Sequence, residues 1–214
     1  MSILPDVSKT RTFNANGVQL RRDWYAMVHT AVILFKLRIV VLLLLAAAGG
    51  AFLAAGGWPG TGSMLLVLVT GGMAAAGASA LNQYLERELD KQMGRTRKRP
   101  LPAGEIQFPG WVLAAGIALV AAPVLVVLPF NPTLSFFLLL GAVIYVGVYT
   151  IWLKPRSVLN IVIGGAAGSA AVLSGGAAVD AWQSSGVLML ALLLFVWTPT
   201  HFWSLAIIYR HDYQ

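Results

Sequence analysis

Asn82, Glu86 and Asp90 stand four residues apart in a chain of 214 residues that is otherwise poor in charge. At 3.6 residues per turn this i, i+4, i+8 spacing lines one face of a helix. Glu86 and Asp90 are like charges at that spacing, which costs an isolated helix about 0.2–0.5 kcal/mol. Arg87 and Lys91 repeat the arrangement with positive sign. A face that served only solvation would sooner set opposite charges there. Two carboxylates and an amide are hard oxygen ligands suited to Mg²⁺, an ion that usually arrives with substrate phosphates. The basic cluster Arg95, Arg97, Lys98 and Arg99 follows at once, and guanidinium forks match phosphate oxygens. The plainer alternative is a charged loop that only enforces membrane orientation.

The elements that must position this stripe are membrane helices. Hydrophobic residues make up 58% of the chain and charged ones 11%, against about 25% charged in soluble domains. That composition excludes a disordered tail, a disulfide scaffold and an ordinary soluble domain, and it predicts an all-α polytopic transmembrane bundle. Crossing ~30 Å of hydrocarbon takes ~20 apolar residues. Six such runs are predicted, at 31–56, 63–85, 108–129, 133–153, 158–180 and 186–208. Most connections are short and rich in turn residues; only 86–107 is long and charged. Residues 1–30 are predicted to be a cytoplasmic or interfacial lead-in, and 31–214 the membrane domain. The first apolar run starts too late and is too long for a signal-peptide core of roughly 7–15 residues.

Charge sets the expected orientation. With the N-terminus inside, all 15 Lys and Arg fall in inner segments or in the inner turns of the first span, a strong bias of the kind that orients membrane proteins. The net charge of +7 is thereby explained without nucleic acid. The chain has no Cys, which excludes disulfides, thiolate nucleophiles and Cys-bound metal. Spans two and five are rich in Gly, Ala and Ser, predicting either close helix packing or room for a bulky ligand.

Further polar residues gather in the inner leaflet: Tyr145 and Tyr149 in span four, Asn160 opening span five, and His201 in span six. Polar groups at membrane depth face internal cavities and mark function by default. A cavity open to the cytoplasm with an apolar upper part is therefore expected. It would suit a substrate with a diphosphate head and a hydrophobic tail.

The run Asn82-x-x-x-Glu86-x-x-x-Asp90, followed by Met93-x-Arg95-Thr96-x-x-Arg99-Pro100-Leu101-Pro102, resembles the UbiA superfamily of intramembrane prenyltransferases. Tyr149 to Asn160, Trp197-Thr-Pro-Thr-His201-Phe-Trp203 and Tyr209-Arg-His-Asp212 are similar to segments of its haem-farnesylating branch. The likeness runs from about residue 30 to the end. Lys36-Leu37-Arg38 stands where that family tends to have Lys-Pro-Arg, and Thr200 replaces a second Pro. The family fold has about nine helices, so the resemblance implies a chain shortened at its C-terminus and inactive by itself.

The resemblance implies transfer of a farnesyl group from farnesyl diphosphate to a vinyl group of haem B, in a bacterial plasma (inner) membrane, upstream of a haem A synthase. It implies Mg²⁺ held by Asn82, Glu86 and Asp90, with Asp212 on the far side. It further implies diphosphate oxygens held by Lys36, Arg95, Lys98 and Arg99, and a haem or cavity wall from Tyr145, Tyr149, Asn160 and His201. His201 is equally readable as a packed residue beside the Pro199 kink. The open alternatives are a prenyltransferase acting on an aromatic quinone precursor, and a channel, transporter or non-catalytic membrane fragment.

Overall fold

The computed structural model describes residue 24 and residues 27–157 and 159–208. Asp212 and most of the 1–30 lead-in lie outside the described residues. Among those described, all regular structure is helical. Residues 27–34 are helical and are followed by α1 (Leu37–Ala55), α2 (Thr61–Gln92), α3 (Pro109–Val127) and α4 (Pro132–Ala142). The chain then winds as a π-helix over Val143–Leu153 and continues through α5 (Asn160–Gly164), α6 (Ala166–Ala177) and α7 (Ser185–Ile208). Six spans among these are long and apolar enough to cross a membrane, so the protein is an integral, multi-pass α-helical bundle.

Local chemistry sets the boundaries. Pro109 and Pro132 open their helices, where a missing N–H costs nothing. Gly56 closes α1 in the left-handed conformation, φ 63°. Three predicted spans need correction. The first begins at Leu37 rather than 31, because the chain breaks at Lys36, whose φ is 47°. The second does not stop at 85 but stays helical to Gln92. Its 32 residues reach about 48 Å at 1.5 Å each, well beyond ~30 Å of hydrocarbon. The fourth changes from α to π winding halfway.

Small residues let backbones touch. A methyl added at Gly77 of α2 would lie 2.7 Å from the Gly116 carbonyl oxygen of α3. One at Gly175 of α6 would overlap the Ala47 carbonyl oxygen of α1. At these two crossings the glycines serve close packing, as lipid-embedded helices require; a side chain at Gly168 would instead meet open space. The main core lies away from the charged loop, around Ala47, Val67, Leu134, Phe137 and Ala177. Large side chains such as Leu42, Val69, Val126 and Leu193 stay exposed around the bundle, a belt too broad for a water-facing surface.

Candidate functional site

The inner end of α2 is built inside out. Asn82, Glu86 and Asp90 are 1%, 6% and 4% exposed, while Leu85 and Leu89 between them face outward. The predicted stripe is therefore a real helix face, and it points into the protein. Buried charge is tolerable only when paired, and each member of the stripe meets one cation from a different element.

Lys36 Nζ donates to Asn82 Oδ1 at 2.6 Å and to the Tyr145 hydroxyl at 3.0 Å. Lys154 Nζ donates to Glu86 Oε1 at 2.5 Å. Arg99 Nη1 donates to Asp90 Oδ2 at 2.7 Å. The carboxylates are almost covered, whereas the Arg99 and Lys154 side chains are 27% and 36% exposed. Each acid is thus sealed and each cation can still reach solvent. Asn82 Nδ2 donates to Thr150 Oγ1 at 3.0 Å, and Thr150 Oγ1 donates to the Tyr145 carbonyl at 2.8 Å. Lys36 sits just ahead of α1. Burial pushes its ammonium down to about 8, aided by Arg99 and more weakly by Lys154, and opposed by Glu86 and more weakly by Asp90.

The π winding decides which residues of the fourth span face the stripe. In an α-helix nine positions are 2.5 turns, so Tyr145 and Lys154 would lie on opposite sides. With i→i+5 bonding the same nine positions make about two turns, so Tyr145 reaches Lys36 and Lys154 reaches Glu86 from the same side. The Lys154 N–H donates to the Tyr149 carbonyl at 2.9 Å, five residues back, which carries the winding into the turn. Tyr145 and Tyr149 stack at 5.9 Å with their planes 9° apart. The missing side chain of Gly164 leaves space for the Tyr149 ring: a methyl there would lie 2.7 Å from Cδ2.

The loop after α2 selects one cation from four. The Thr96 hydroxyl donates to the Asp90 carbonyl at 3.0 Å. Pro100 and Leu101 are buried, the latter with Leu34, Ala80 and Val112. Between these anchors Arg99 is turned onto Asp90. Arg95 and Lys98, predicted as its companions, are exposed and outside the cluster. Asn160 is half-buried, and no side-chain hydrogen bond ties it to the cluster among the described residues. His201 is exposed and stacks on Trp197 at 4.5 Å. Thr150 and Lys154 were not predicted as site residues. Lys154 read only as an orienting charge in a hairpin, and nothing in the sequence marks Thr150.

The oxygen set suits a hard cation, although among the described residues no group of three or more His, Asp or Glu is arranged to hold a metal. Two carboxylates and the Asn82 amide are present; Asp212 is outside the described residues. The expected open chamber is not formed by these groups, which bond to one another. Two hollows among the described residues lie elsewhere. One of about 400 Å³ is lined by Pro132, Phe136, Phe137 and Trp182 at the far end. The other, about 230 Å³, is an apolar crevice between Leu81, Val120, Leu139 and Val146.

Comparison with known proteins agrees with this picture. The model of the UbiA prenyltransferase family matches residues 42–214. A protoheme IX farnesyltransferase of Metallosphaera sedula is 49% identical over 71% of this chain and 53% of its own length. One from Sulfolobus acidocaldarius is 46% identical over the same shares. Protoheme IX farnesyltransferase 2 of Paramagnetospirillum magneticum is 44% identical over 84% of this chain and 63% of its own length. The chain thus spans about half to three-fifths of the length of these relatives. No solved structure matches it.

Proposed function

The chain belongs to the UbiA prenyltransferase family, and from this premise we propose that it carries the diphosphate-handling part of a protohaem IX farnesyltransferase, or haem O synthase. The observation that supports this most is the ladder of three oxygens and three cations: Asn82 with Lys36, Glu86 with Lys154, and Asp90 with Arg99. It sets exchangeable positive charge beside hard oxygen donors at the end of an apolar bundle. The same end carries the long charged loop, which orients it to the cytoplasmic side of a bacterial inner membrane by charge bias.

In this reading Lys36, Lys154 and Arg99 bind the diphosphate of farnesyl diphosphate and leave their resting partners to do so. The farnesyl C–O bond breaks and its electron pair departs on the diphosphate oxygen. Preorganised cations at the place where that charge develops lower the barrier. The vinyl π electrons of haem B attack the allylic cation to form the new C–C bond. Water then adds its oxygen to the resulting cation and loses a proton, giving a hydroxyethylfarnesyl group. Such a product is the substrate class for a downstream haem A synthase. Apolar walls protect the allylic cation from early capture by water. Asn82, Glu86 and Asp90, with Asp212, would hold Mg²⁺, which supplies neutralisation of the diphosphate charge when bound. Tyr145 and Tyr149 would line the acceptor side. The exposed His201–Trp197 stack offers a flat surface of the kind a porphyrin meets.

Farnesyl transfer by membranes carrying the full-length protein, with haem B and Mg²⁺ supplied, tests the reading. Asp90→Ala should reduce haem O formation by about 10²-fold or more at unchanged membrane insertion. Full activity in that variant sinks the assignment. Product on an aromatic quinone precursor instead of haem moves it to another acceptor.

A further inference from the structure

Gln83 follows Asn82 on α2 and is 1% exposed, yet no step of the reaction above uses it. Its Nε2 donates to the Ile33 carbonyl at 2.6 Å and to the Leu34 carbonyl at 2.9 Å. Those carbonyls end the helical stretch 27–34. Terminal carbonyls lack i+4 partners, and burying them unpaired is costly; besides Gln83, the Ile33 carbonyl is met by the Lys36 N–H at 3.2 Å, three residues on. Gln83 Oε1 has no partner of its own, so the amide is held by its donor side alone.

Two residues after Leu34, Lys36 takes a left-handed conformation, φ 47° and ψ 48°. Only Asp180 shares a positive φ among the described non-glycine residues, and such residues are uncommon in general. The break turns Lys36 out of the helical path, and its ammonium reaches Asn82 and Tyr145. Consecutive residues of α2 therefore hold the break and receive the ammonium. In an unbroken helix the amides of Leu37 and Arg38 would meet the Ile33 and Leu34 carbonyls, and the Gln83 amide would not be needed to satisfy them.

We propose that Gln83 is a positioning residue: it clamps the Ile33 and Leu34 carbonyls, holds the break at Lys36, and so aims the Lys36 ammonium at the stripe. The clamp rests on these hydrogen bonds. Its service to a diphosphate rests on the function proposed above.

Amine labelling separates the two. The full-length protein is pulsed with an acetylating reagent, and each lysine is quantified by mass spectrometry. Gln83→Met keeps side-chain length but cannot donate. It should raise Lys36 labelling several-fold while Lys154, paired with Glu86, keeps its wild-type rate. An unchanged Lys36 rate overturns the proposal. An equal rise at Lys36 and Lys154 also overturns it, because that is general loosening. Gln83→Glu, which lacks the amide donor, is judged by the same rule should Gln83→Met not accumulate. Inorganic pyrophosphate with Mg²⁺ is then added to the wild type. Protection of Lys36 there, lost in the variant, supports both clamp and diphosphate site. A labelling shift in the variant with no protection of the wild type leaves the clamp standing and removes the diphosphate reading.

Discussion

The two ends of the bundle satisfy their buried polar groups differently. At the far end Asn131 caps α4 by accepting from the Leu134 N–H at 2.8 Å and donates to the Ala177 carbonyl at 2.8 Å. Ser135 donates to the Val124 carbonyl at 2.8 Å. There, side chains complete the backbone. At the charged end Gln83 and Thr96 also complete the backbone, but side chains bond side chains as well: Lys36 with Asn82 and Tyr145, Asn82 with Thr150, Lys154 with Glu86, Arg99 with Asp90. Such bonds are a small minority in folded proteins, and among the described residues every one lies at this end. A backbone carbonyl cannot be given up without unwinding a helix. A side-chain cation can change partners by rotating, which is what capture of an anionic ligand demands.

The comparison can be broken by variants at either end. The largest effect is expected from Glu86→Ala. It should lower farnesyl transfer by the full-length protein about 10²-fold or more, with little change in the unfolding midpoint, because the Lys154 left unpaired can reach water. Next is Gly175→Val at the α1–α6 crossing. Its side chain has no room against the Ala47 carbonyl, so chemical denaturation in detergent should show a loss of about 3 kcal/mol or more. Activity per folded molecule should stay near wild type; a selective loss of diphosphate binding would join the two ends that the comparison separates. Asn131→Ala should cost about 1–2 kcal/mol by the same assay, again with normal binding. Smallest is the pair Arg95→Gln and Lys98→Gln. Both residues are exposed, so pyrophosphate binding should weaken less than about fivefold. A loss as large as that of Arg99→Gln would place them in the site after all.

Residue by residue, legibility in the sequence follows the range of the interaction. The spans were readable because apolar run length and Pro or Gly punctuation are local. Even so, the first span was drawn too long, since the break at Lys36 depends on Gln83 some fifty positions away. The stripe was readable because 3.6-residue periodicity is local too. Its partners were not. Arg95, Lys98 and Arg99 look alike in sequence, and only the anchoring of Pro100 and Leu101 in the fold separates Arg99 from the others. Lys154 carried no signal beyond charge, because its role depends on a π winding that the residues 143–153 do not announce.

The sequence alone determined an all-helical membrane chain, its six spans, its charged end and the shared helix face of Asn82, Glu86 and Asp90. These depend on residue type and on spacing along one helix. Only the tertiary structure decided which cation meets which oxygen. Those partners are brought together across 46 positions for Lys36–Asn82 and 68 for Lys154–Glu86, by a left-handed break, an anchored loop and a change of helical pitch. Pairing at such separations is set by how helices cross and wind, and charge or composition along the chain does not encode it locally.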